Sequence, residues 1–122
     1  MKRTAQRLAA ILLPLAGFTS GCHSYRIEAI VENRTGTAID LVEVDYPSAS
    51  FGTDRMAADG NYHYRFQVRG SGPIKVQYTD PSNHQLRQMT GPGLFERQEG
   101  RIEIVLLPDG KAEFHSTLTP QQ

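Results

Sequence analysis

From Tyr25 onward, apolar side chains recur at every second position rather than every third or fourth. Successive side chains of an extended strand point to opposite faces, so this period marks strands with one face buried. Tyr25, Ile27, Ala29 and Val31 alternate with Arg26, Glu28 and Glu32, and Asn33-Arg34-Thr35-Gly36 follows as turn chemistry. Ile39 and Leu41 then share a face, but Val42, Val44 and Tyr46 continue in shifted phase. A slip of one residue predicts a β-bulge near Leu41-Val42. The period is lost over 47–60, which reads as an irregular loop, and returns from Asn61 to Arg69. There Tyr62, Tyr64, Phe66 and Val68 alternate with polar neighbours.

Gly70-Ser71-Gly72-Pro73 turns the chain into a strand over 74–78, and Asp80-Pro81-Ser82-Asn83 fits a type I turn. Residues 84–90 form a weaker strand of polar, edge character, followed by a second irregular loop over 91–100. Ile102 to Leu107 is apolar on nearly both faces and so predicts a central strand. Pro108-Asp109-Gly110 is a hairpin turn, and Ala112, Phe114 and Leu118 belong to the last strand. Seven short strands with turn signals every 8–12 residues predict an all-β fold, a seven-stranded antiparallel β-sandwich over 25–118. Its general architecture would be immunoglobulin-like or transthyretin-like, with a small closed barrel as the alternative. Residues 119–122 form a C-terminal tail.

The first 21 residues differ in kind. A basic stretch holding Lys2, Arg3 and Arg7 leads into the uncharged apolar run Leu8–Phe18, then Thr19-Ser20-Gly21 and Cys22, the chain's single cysteine. Those are the parts of a secretory signal, and the run is well short of the roughly 20 residues that span a bilayer as a helix. Thr19-Ser20-Gly21-Cys22 resembles a lipobox, the site cut by the bacterial lipoprotein signal peptidase, with Thr19 where that family most often carries Leu. The resemblance implies removal of residues 1–21 and a diacylglyceryl group on the Cys22 thiol. Residues 22–24 would be the lipidated terminus and tether, and the chain would be held to a membrane of the cell envelope. With His23 rather than Asp after the cysteine, that would be the outer membrane, facing the periplasm, in a Gram-negative host.

Charge narrows the function further. The chain carries 13 Lys and Arg against 13 Asp and Glu. Lys2, Arg3 and Arg7 precede Cys22, so the body is left mildly acidic. Its charges are interspersed along the sequence, which offers neither a footprint for nucleic acid nor a polybasic run for lipid headgroups.

No nucleophile elbow, zinc-binding helix motif, paired-cysteine motif or phosphate-binding glycine loop is present, so neither an enzyme nor a cofactor is expected. Among the histidines, His63 and His115 lie on strands and could approach one another across a sheet. Asp45, Asp54 and Asp59 flank the 47–60 loop but lack the close spacing of calcium loops. Asn33-Arg34-Thr35 matches the N-glycosylation sequon, though turn chemistry accounts for it. Tyr46 and the apolar residues Phe51, Met56, Leu94 and Phe95 on the two loops are candidates for a partner-binding surface, or else plugs over the ends of the sandwich. Edge-strand addition of a partner would use 25–32 or 84–90. The expected role is a non-enzymatic protein-binding or scaffolding module with an envelope protein as partner. The alternative is a carbohydrate- or metal-binding module built on Tyr46, Tyr62, Tyr64 and the carboxylates of 47–60.

Overall fold

The computed structural model describes residues 23–121, so Cys22 and the segment read as a signal peptide lie outside the described residues. Among the described residues eight strands run in chain order: β1 (Ile27–Asn33), β2 (Ile39–Tyr46), β3 (Ala49–Met56), β4 (Asn61–Phe66), β5 (Ser71–Asp80), β6 (Gln85–Phe95), β7 (Glu99–Leu107) and β8 (Lys111–Thr119). A 3₁₀ turn, Pro108–Gly110, joins the last two. The strands form two four-stranded sheets, ordered β4-β1-β7-β8 and β3-β2-β5-β6. None of the helical structure among the described residues is long and apolar enough to cross a membrane.

The all-β sandwich agrees with the alternating pattern, and four details correct it. There are eight strands, because 47–60 holds β3. This strand turns only Phe51 and Met56 into the core while Ser50, Gly52 and Asp54 are exposed, so a two-residue period is barely visible. The expected loop 91–100 is also mostly strand, β6 continuing to Phe95 and β7 beginning at Glu99. The first sheet is mixed: β1 pairs with β7 in parallel, Ala29 opposite Ile102 and Val31 opposite Ile104, and antiparallel with β4. Residues 25–32 therefore lead into and form an interior strand, whose backbone is already paired on both sides. Of the two segments proposed for strand addition, only 84–90 lies on an edge.

Other features follow the sequence directly. The strand over 102–107 is interior, between β1 and β8. The bulge lies where the phase slips: β2 pairs with β5 in one register at Asp40–Thr79 and in another from Glu43–Gln77 onward. Between the sheets, Ile27, Ala29 and Val31 of β1 and Ile102, Ile104 and Leu106 of β7 face Val42 and Val44 of β2 and Ile74, Val76 and Tyr78 of β5. Branched side chains on a pleated surface lose little rotamer freedom, which suits them to this layer.

Aromatic rings close both flanks. On one, a Cβ at Gly91 of β6 would lie 2.6 Å from the Phe114 ring of β8, so the missing side chain makes room for that ring to cross from the other sheet. On the other flank, between β3 and β4, Tyr46, Phe51, Tyr62, Tyr64 and Phe66 pack together.

Candidate functional site

The sequence-selected apolar residues are mostly structural. Phe51, Met56 and Leu94 are buried in the core, while Tyr46 and Phe95 are half-buried. Phe51 stacks on Tyr64 with ring centroids 4.4 Å apart and planes 18° from parallel, and Tyr46 lies 4.2 Å from Phe66. Such offset pairs add about 0.5–1.5 kcal/mol beyond their burial. Burial, then the neighbouring Tyr64, raises the Tyr46 phenol above its ordinary value. Tyr46, Tyr62 and Tyr64 do come together, but around Phe51, with Tyr64 the most exposed of the three.

Metal chemistry finds no support in the placement of its candidates. His63 is on β4 and His115 on β8, the two opposite edges of the first sheet, with β1 and β7 between them. Each lies beside a carboxylate instead, His63 near Glu28 at 3.9 Å and His115 near Glu113 at 3.1 Å. Asp45, Asp54 and Asp59 sit on β2, β3 and a turn, and no group of three or more metal-binding side chains gathers among the described residues.

Asn33 of the sequon is fully buried. Its Nδ2 donates to the carbonyls of Thr37 (2.8 Å) and Ala57 (2.9 Å), and its Oδ1 accepts from the Thr35 amide and hydroxyl. That amide is a clasp between the end of β1 and the end of β3, not an acceptor for sugar.

One surface stands apart, on the outer face of the second sheet. Sequence periodicity puts Leu41 on the same face as Ile39. The bulge instead turns Leu41 outward with φ of 50°, leaving it 61% exposed while Val42 takes the inward position. A leucine held in the left-handed region is strained by about 1–2 kcal/mol. Beside it, a Cβ on Gly52 of β3 would lie 2.2 Å from the Val42 carbonyl oxygen. Only glycine fits there, and it leaves a flat floor.

Leu41, Glu43, Ser50, Gly52, Asp54 and Gln77 border the resulting groove, of about 520 Å³. The Glu43 carboxylate is fixed across three strands: Gln77 Nε2 donates to it at 2.9 Å, and Gln88 Nε2 donates to Gln77 Oε1 at 3.1 Å. Along the same face Leu86 is 53% exposed, in the row Asp40–Thr79–Leu86. An apolar wall, a glycine floor and acidic rims can receive an apolar side chain that has a cation beside it. The phase slip was the available signal for Leu41, since one of two consecutive apolar residues at a bulge must leave the core face.

No protein-family model matches the chain, and no curated protein does. Among solved structures, the chain is similar to one described as the NMR structure of the protein from Eubacterium rectale. The two are 16% identical over 87% of this chain and 97% of the other, with a TM-score of 0.52. At that identity the likeness concerns the fold alone, and the fold it supports is an all-β, two-sheet sandwich.

Proposed function

We propose that this chain is a non-enzymatic, lipid-anchored protein of the cell envelope that binds a protein partner through the outer face of its second sheet. The observation that carries the binding reading is Leu41: an apolar side chain, strained and exposed, beside a floor that only glycine can form. Strained backbone persists where the surrounding structure over-determines it, and such positions cluster at recognition sites. The anchor reading rests on the lipobox-like Thr19-Ser20-Gly21-Cys22 at the end of the apolar run. Of the two architectures expected, the strand order favours the transthyretin-like one. In constant-type immunoglobulin sandwiches the first, second, fourth and fifth strands share a sheet, whereas here β2 and β5 lie opposite β1 and β4.

A photo-crosslinking residue placed at position 41 in the membrane-bound protein tests the binding face, with position 117 on the outer face of the first sheet as control. The proposal expects one discrete adduct from 41, weakened by Glu43→Lys, and none from 117. Equal labelling from both positions, or none from 41, would overturn it.

A further inference from the structure

Three arginines that look scattered along the sequence come to one end of the fold. β1 begins, β4 ends, β7 begins and β8 ends at one end of the first sheet, as Ile27–Phe66, Ile27–Gly100 and Glu99–Thr119 pair there. The second sheet brings Tyr46–Ala49 and Ser71–Phe95 to the same end. Each of three segments at this end carries an exposed arginine: Arg26 entering β1, Arg69 between β4 and β5, and Arg97 between β6 and β7.

Backbone contacts hold these segments together, the Gly70 amide donating to Glu96 Oε1 (2.8 Å) and the Gly100 amide to the Arg26 carbonyl (3.2 Å). Two carboxylates of this end have partners, Glu96 in that amide and Glu99 in His23 at 2.8 Å. None of the three arginines has a salt bridge among the described residues. At the far end three turns carry aspartates, Asp59, Asp80 and Asp109, beside Arg34 in the fourth turn and Lys111 at the start of β8.

This basic end is also where the chain joins Cys22. Arg26 is four residues beyond it, within about 14 Å even for a fully extended chain. We propose that Arg26, Arg69 and Arg97 dock this end of the sandwich on anionic lipid headgroups, so that the domain stands on the membrane with its aspartate-bearing turns pointing away. The inference rests on the anchor proposed above for its geometry, and it departs from the expectation, drawn from the linear sequence, of no basic patch for lipid headgroups. Side-on Tyr25, half-buried against His23 at a ring distance of 4.5 Å, suits the same interface, since tyrosine favours the headgroup level. Tethering supplies proximity, and the arginines supply orientation. Three of them at an anionic surface favour the docked state by roughly a hundredfold, an advantage that salt screens.

The test uses the full chain, extracted from membranes, checked for acylation by intact mass and reconstituted into vesicles of phosphatidylcholine with or without phosphatidylglycerol. Hydrogen exchange reads the amides of 68–72 and 95–99. Docking predicts protection only with phosphatidylglycerol, lost in high salt and in Arg26→Gln/Arg69→Gln/Arg97→Gln while the protein stays on the vesicles. Exchange that is equal on both lipids, or protection of 57–60 and 108–110 instead, overturns the docking and leaves the anchor intact. If the mass shows no acyl group, the anchor reading fails. The same amides read after addition of phosphatidylglycerol vesicles then decide the docking separately.

Discussion

Replacing Asn33 by Asp probes how the sandwich is clasped at the end remote from Cys22. The two side chains are nearly isosteric, so the change leaves packing alone and alters only hydrogen bonding. Asparagine donates to the Thr37 and Ala57 carbonyls at 2.8 and 2.9 Å, and a third carbonyl, Met56, lies at 3.4 Å. Aspartate keeps the acceptor that holds the Thr35 amide and hydroxyl, but turns an oxygen toward three carbonyl oxygens at a site with no exposure to water. Two lost hydrogen bonds account for about 2 kcal/mol, and the buried, opposed oxygens add at least 1 kcal/mol more.

The expected loss is therefore about 3 kcal/mol, or on the order of 15 °C in Tm for a domain of this size. It is a large part of the 5–15 kcal/mol available to a typical domain. Urea unfolding followed by tyrosine fluorescence, with an unchanged m-value, measures it. Exchange of the amides at 35–37 and 57–60 should rise together. A loss below 1 kcal/mol with those amides still protected refutes the idea that Asn33 joins the two sheets.

Three further outcomes follow from the same geometry. Gly52→Ala forces a Cβ against the Val42 carbonyl oxygen at 2.2 Å; it should cost about 2–3 kcal/mol, and a neutral result by chemical denaturation contradicts the glycine floor. Leu41→Asn should leave stability unchanged or raise it by about 0.5–1 kcal/mol, since asparagine tolerates positive φ and no buried contact is lost; a loss above 2 kcal/mol would show that Leu41 serves the core. The Asp80 carboxyl is held below its ordinary value first by the Ser82 hydroxyl and next by the Ser82 amide. This turn's contribution is present above about pH 4 and is lost as pH falls through the lowered value; Ser82→Ala should move the NMR titration of Asp80 upward, and an unmoved titration rules out the hydroxyl as its main cause.

How much of this was legible in the sequence depended on how locally each feature is encoded. A one-residue slip between Leu41 and Val42 is written in the order of side chains, and so is the two-faced burial of Ile102–Leu107. β3 was obscured because an edge strand needs few core contacts, and Gly52 leaves a gap in its pattern. The parallel pairing of β1 with β7 joins residues more than seventy positions apart, and nothing local specifies it. The candidate surfaces were hidden for the same reasons. Leu41 looked like a core residue until the bulge turned it out, while Phe51, Met56 and Leu94 could be read either as partner contacts or as plugs because their segments lacked a strand period. Arg26, Arg69 and Arg97 come to one end of the domain only when strand ends distant in sequence meet.

Intact-mass spectrometry of the membrane-extracted protein, beside its Cys22→Ser variant, bears most directly on the anchored module proposed here. A wild-type mass lacking residues 1–21 and carrying acyl chains, absent from the variant, is the predicted result. A wild-type protein with an unmodified Cys22 thiol would contradict the account at its base.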